Sequence, residues 1–158
     1  MATGKTSIPI EPARRKTGAV VQRLGESASQ TYPAGCLVIK SAGVVSMHAT
    51  SFVSVSLFGV ALKSGRNGSA NGVKSNQFYR FQAGEPFKVV MTGTLASSNL
   101  GQTIALSQNT AGVVVGVSAA TASDSSVARA IEFAEGFSES DTNPVVLFVP
   151  LTAKIQEG

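Results

Sequence analysis

The stretch Cys36-Leu37-Val38-Ile39-Lys40-Ser41-Ala42-Gly43-Val44-Val45-Ser46-Met47 reads as a β-hairpin. Cys36 to Lys40 is a short apolar run, Ser41-Ala42-Gly43 makes a turn, and Val44 to Met47 resumes the strand. Tyr32-Pro33-Ala34-Gly35 marks where this character begins, because Pro and Gly punctuate regular structure.

Toward the C-terminus the same grammar repeats. In Phe52 to Lys63, Val53, Val55 and Leu57 alternate with Ser54 and Ser56 before both faces turn apolar at Phe58 to Leu62, as in a strand that runs into a core. Residues 64–72 contain two Asn-Gly pairs and no hydrophobic pattern, which predicts an exposed loop and a candidate contact surface. Gln77 to Phe81, a turn at Ala83-Gly84-Glu85-Pro86 and Phe87 to Met91 predict a second hairpin, with Phe87, Val89 and Met91 on one face. Leu95 to Gly101 fits a single helical turn, and Thr103 to Ser107 with Gly112 to Val117 forms a third strand pair around residues 108–111. Val127 to Glu135 suits a strand by its Val, Ile and Phe, although its Ala and Glu also suit a helix. The chain closes on an alternating segment from Leu147 to Gln156; Pro150 cannot donate to a ladder, so this strand is expected at an edge or with a bulge.

Toward the N-terminus residues 1–31 lack sustained periodicity and hold Pro9, Pro12, Gly18 and Gly25. They read as an extended basic arm with one short strand at Ala19 to Leu24, followed by a single β domain over 32–158. The expected fold is all-β: a small β-barrel or β-sandwich of about eight to ten short strands, with the N-terminal arm and at most one short helix.

Composition fits one domain. The 158 residues are 43% hydrophobic, enough for a core, but only 14% charged, well below the roughly 25% usual for soluble proteins. A charge-poor surface suits a subunit packed into an assembly, where each charge taken from water costs energy. Sixteen Gly and no Trp fit short strands and tight turns. The formal net charge of +4 is unevenly placed: Lys5, Arg14, Arg15, Lys16 and Arg23 stand near the start, whereas Asp124, Glu132, Glu135, Glu139, Asp141 and Glu157 crowd the end. Such polarity can orient like subunits or dock a basic arm on an acidic neighbour, and it equally fits solvated surface charge. Arg14-Arg15-Lys16 is a short cluster without interleaved aromatics, so no specific nucleic-acid binding is expected. The polar start has no apolar signal segment, and Val145 to Leu151 is far short of the ~20 residues of a spanning helix. A soluble protein made in the cytoplasm is expected.

Catalytic material is thin. His48 is the single histidine and reads as an end-of-strand residue; the lone Cys36 reads as a core thiol, unable to form an internal disulfide. No G-x-S-x-G elbow is present. Gly4-Lys5-Thr6 resembles the end of a phosphate loop, but the first glycine of that motif has no place before it. Glu132 and Glu135 on a strand fall on opposite faces, against paired acid/base work. Glu139 and Asp141-Thr142-Asn143 match no calcium-loop spacing. No cofactor, metal or small-molecule substrate is expected; the least implausible enzyme site combines Arg80, Glu85 and Lys88.

The run from Tyr32 through Cys36-Leu37-Val38-Ile39-Lys40, the strand Leu57-Phe58-Gly59-Val60-Ala61-Leu62, the Gly/Asn-rich loop and the final strand opened by Asn143-Pro144-Val145-Val146-Leu147 together resemble bacteriophage capsid decoration proteins. The resemblance covers most of residues 32–156 and implies a cement subunit on the exterior of the virion head. Such a subunit binds the major capsid protein, assembles as a homotrimer, touches no membrane, and acts by binding energy alone. The long basic arm departs from compact members of that group. The expected contacts are Arg14, Arg15, Lys16 and Arg23 of the arm, Arg66 and Asn67 of the loop, and Pro150 and Lys154 of the last strand. The alternatives are a head-fibre base or tail component and a glycan-binding β-sandwich, the latter poorly equipped with only Tyr32 and Tyr79 and no Trp.

Overall fold

The structure, a computed structural model, describes residues 10–12, 20–49, 53, 55–118 and 126–156. Eleven strands are formed by the described residues: β1 (Glu11–Pro12), β2 (Val20–Glu26), β3 (Leu37–Ser41), β4 (Val44–Met47), β5 (Gly59–Ala61), β6 (Ser75–Arg80), β7 (Phe87–Val90), β8 (Thr103–Gln108), β9 (Val114–Ser118), β10 (Ser126–Phe133) and β11 (Val145–Pro150). Two single 3₁₀ turns, Ser97–Asn99 and Thr152–Lys154, are the helical elements among them. The fold is all-β.

The strands form two layers. The first is a closed barrel in the order β2-β4-β3-β5-β6, and the second is a six-stranded sheet in the order β1-β7-β11-β10-β8-β9. The hairpin read from the sequence is present, with Ser41 opposite Val44. Its two-residue turn places Ala42 at φ 49° and Gly43 at φ 81°, the doubly left-handed geometry whose twist matches that of paired strands. The barrel closes because β2 runs antiparallel to β6, from Val20–Arg80 to Gly25–Ser75, and meets β4 in parallel at Gly25 and Glu26. The second sheet curls until Met91, just past β7, bridges Gly116 of β9, with the Thr92 N–H donating to the Gly116 carbonyl at 2.9 Å.

Alternation along the barrel wall feeds two cores at once. Val38, Val45, Ala61 and Phe78 fill the barrel with Tyr32, Cys36 and Phe58, while their strand neighbours Leu37, Val60 and Tyr79 pack on the second sheet. There they meet Phe87, Val89, Ile104, Leu106, Val146 and Phe148. Phe81, Phe87 and Phe148 stack where the chain passes from barrel to sheet. The Phe81–Phe87 centroids lie 4.9 Å apart, edge to face, a geometry worth about 0.5–1.5 kcal/mol beyond burial. The outer face of the sheet is covered locally by the β10–β11 connection, where Val90, Ala134 and Val145 pack with Phe137 and Leu147.

Several expectations need correction. Residues 10–12 and 20–31, expected in an N-terminal arm, are part of the domain: β2 is a barrel stave, Ile10 is buried in the larger core, and β1 pairs with β7, while the rest of the expected arm lies outside the described residues. Among the described residues of the segment 52–63, regular strand forms only at β5, and Val55 is exposed rather than inward. The strands on either side of Ala83–Pro86 are not a hairpin, since β6 belongs to the barrel and β7 to the sheet. The last strand is not an edge. β11 lies between β7 and β10, and Pro150 is buried opposite Ala128; β7 pairs only as far as Phe148, so no partner awaits the missing N–H. The irregularity falls in β10, whose register shifts between Ala130 and Glu132. The segment 127–135 is a strand as far as Phe133.

Candidate functional site

Pairing of β2 with β6 sets Arg23 opposite Gln77 and Gly25 opposite Ser75 on the barrel wall. The loop after β5 is then laid over residues 26–32 by a series of main-chain bonds. The Gly65 N–H donates to Tyr32 O at 2.8 Å, Asn67 N–H to Gln30 O at 2.8 Å, and Gly72 N–H to Glu26 O at 2.8 Å. In return Ser29 N–H donates to Gly68 O at 2.9 Å. A side chain at position 65 would place its Cβ 2.6 Å from the Gln30 carbonyl, so the close approach requires glycine. The result is a groove of about 370 Å³ lined by Arg23, Lys63 and Arg66 with Ser75, Asn76 and Gln77.

Beneath it lies a buried polar network. Glu26 is 1% exposed; its Oε1 accepts from the Tyr32 hydroxyl at 2.9 Å and its Oε2 from the Arg66 main-chain N–H at 2.8 Å. Asn76 Nδ2 donates to Lys63 O at 2.9 Å and Ser64 O at 3.0 Å, while its Oδ1 accepts from Gln77 N–H at 2.8 Å. These bonds answer the cost of burying a carboxylate and an amide, and they fix the main chain that carries Lys63 and Arg66. Burial foremost, and then the neighbouring Glu26, hold the Tyr32 phenol well above its usual range, so it stays a proton donor to that carboxylate.

The side chains of Arg23, Lys63 and Arg66 are exposed, and Arg23 Nη1 donates to Ser75 Oγ at 3.1 Å. No carboxylate is among the described residues lining the groove. Guanidinium groups present planar forks that take carboxylates or phosphates two bonds at a time, and two of them stand in this groove.

Of the expected contact residues, Arg23 and Arg66 are brought together here from opposite ends of a long sequence separation. Asn67 adjoins them, exposed and at φ 50°. Lys154 sits apart in the second 3₁₀ turn, and Pro150 is buried, so its side chain is withheld from any partner. Arg14, Arg15 and Lys16 lie outside the described residues. Sequence reasoning missed Lys63, Asn76 and Glu26. Only Glu26 carried a signal, as a lone acid in the barrel's first stave. Arg80 lines a smaller groove of about 260 Å³ with Gln82, Thr152 and Gln156; Glu85 and Lys88 are not among its described lining residues.

His48 follows β4, its N–H donating to Leu37 O at 3.3 Å. Cys36 is buried, and burial pushes its thiol up to about 12. Among the described residues no three His, Cys, Asp or Glu side chains gather as a metal site, and no helix is long and apolar enough to cross a membrane. No protein-family model matches the chain, and a search of curated proteins gives no match.

Proposed function

We propose that this chain is a structural subunit of a virus particle, one that decorates the exterior of a bacteriophage head by binding the major capsid protein and its own copies. The observation that carries the reading is the basic groove: three exposed cations, two of them on main chain fixed by a buried network, with no carboxylate among the lining residues described. Such a surface recognises an acidic partner and supplies no obvious chemistry. The buried titratable groups Glu26, Tyr32 and Cys36 are engaged in hydrogen bonds or sealed in apolar surroundings, which favours a role through binding. The charge-poor remainder of the surface supports the same role, since few charges need be stripped of water when subunits pack.

The test is co-sedimentation of purified protein with expanded heads that lack it, with unexpanded procapsids as the control and a salt titration alongside. Saturable binding to expanded heads alone is the expected result. Binding to neither particle sinks the head assignment and directs attention to tail or fibre structures.

A further inference from the structure

The groove's complement is present on the same chain. Glu132 near the end of β10 and Glu135 and Glu139 in the connection to β11 are all exposed. That connection is a built tip. Ala134 N–H donates to Val145 O at 2.9 Å at its neck, Phe137 packs inward on Val90 and Val145, and the buried Asp141 accepts from Ser138 N–H at 2.7 Å. Glu139 Oε2 accepts from Ser97 N–H at 2.9 Å, tying the tip to the first 3₁₀ turn. Each patch also has an exposed apolar neighbour: Val73, 58% exposed, in the loop bordering the groove, and Ile131, 39% exposed, beside Glu132.

The two patches belong to different layers, the groove to β2 and β6 of the barrel, the tip to β10 and β11 of the sheet. Among the described residues no ion pair takes up Arg23, Lys63 or Arg66, nor Glu132 or Glu135. We propose that the groove of one copy receives the acidic β10–β11 tip of a second copy, head to tail. This inference rests on reading the chain as an assembly subunit, and it names the surfaces and the partner. Both halves are preformed, so docking forfeits little chain entropy, and opposite charge fixes which end meets which. A contact between unlike patches generates a ring if the rotation closes and a filament if it does not.

Sedimentation velocity of the full chain over a range of concentrations and salt tests this. Association that weakens as salt rises is expected. The double variants Arg23→Glu/Lys63→Glu and Glu132→Lys/Glu135→Lys should each associate at least about tenfold more weakly, as close charge pairs across an interface require. Arg66 is left intact because its main-chain N–H holds Glu26. An equimolar mixture of the two variants should regain association, since every groove then faces a tip of opposite charge. Thermal unfolding of each variant checks that it folds; should one fail to fold, the other variant with the salt titration decides. A wild type that stays monomeric at every concentration, a folded variant that associates like wild type, or a mixture of folded variants that regains nothing overturns the proposal. Head co-sedimentation of the tip variant, whose groove is intact, separates the two readings: Glu132→Lys/Glu135→Lys that is monomeric but still binds heads leaves decoration standing, and a wild type that associates with itself but binds no heads removes decoration instead.

Discussion

The side-chain amide of Gln108 grips both main-chain groups of Leu37. Leu37 N–H donates to Gln108 Oε1 at 2.6 Å, and Gln108 Nε2 donates to Leu37 O at 2.9 Å and to His48 O at 2.9 Å. A side chain from the second sheet thus takes the place of a neighbouring strand for the barrel. Gln156 does the same for Lys40, accepting from its N–H at 2.7 Å and donating to its carbonyl at 3.2 Å. Replacing Gln108 by Leu keeps the volume but leaves buried main-chain groups without partners, and should cost roughly 2–4 kcal/mol by urea titration. Gln108→Glu keeps the acceptor but turns a second oxygen toward two carbonyls. The folded state then favours the protonated acid, so this variant should lose stability as pH rises through the carboxylate range and recover it on acidification.

Gly59 and Gly116 both sit where a Cβ has no room, but the obstacles differ. At Gly59 it would lie 1.9 Å from the Tyr79 carbonyl oxygen, which is main chain held in the barrel ladder. Gly59→Ala should cost more than about 3 kcal/mol or yield no folded protein. At Gly116 the nearest atom is Met91 Sδ at 2.5 Å, part of a flexible side chain that can swing away. Gly116→Ala should fold, with a loss of about 1–2 kcal/mol. Thermal melts of the two variants measure the contrast.

Tyr32→Phe removes one of the two donors to the buried Glu26 carboxylate. A loss of about 1–3 kcal/mol is expected, because an under-satisfied buried acceptor keeps its desolvation cost. Glu26→Gln in the same background should recover part of that loss, a coupling that a double-mutant cycle reads directly.

The Cys36 thiol, raised from its ordinary 9.0 to about 12 chiefly by burial, is expected to resist thiol reagents at pH 8 in the native protein and to react fully once unfolded. The sign of its pH effect follows from the raised value. Between pH 9 and 12 the unfolded chain releases a proton that the folded chain retains, so stability present below pH 9 is lost as pH rises through that window. Tyr32, also raised by burial, pushes in the same direction. Denaturant midpoints should fall across the alkaline range, and less steeply in Cys36→Ala.

Local pattern made some of this fold legible. The Ser41-Ala42-Gly43 turn between two apolar runs marked β3 and β4, and residues 108–111 marked the pair that forms β8 and β9, although Gln108 itself ends β8. The Asn-Gly segment read as a loop because nothing in it could be buried periodically. The turn before β7 misled because the same residues serve a hairpin or a crossing between sheets, and only the distant partners of Tyr79 and Lys88 decide which. β2 begins with Val20 and Val21 both exposed, so its pattern lacked the alternation that would have drawn it into the domain. For the site, Arg23 and Arg66 were visible as charges. Their meeting was not, because it depends on the long-range β2–β6 pairing and on a loop folded back over residues 26–32.

Leu37 and Val38 are adjacent in sequence yet serve separate cores. A strand with one greasy face can slip by two residues and find a tolerable alternative. In this one, a shift of one residue exchanges the tenants of both interiors simultaneously. The wall shared by barrel and sheet therefore has its register specified from both sides, since a one-residue misalignment is penalised in two interiors rather than one.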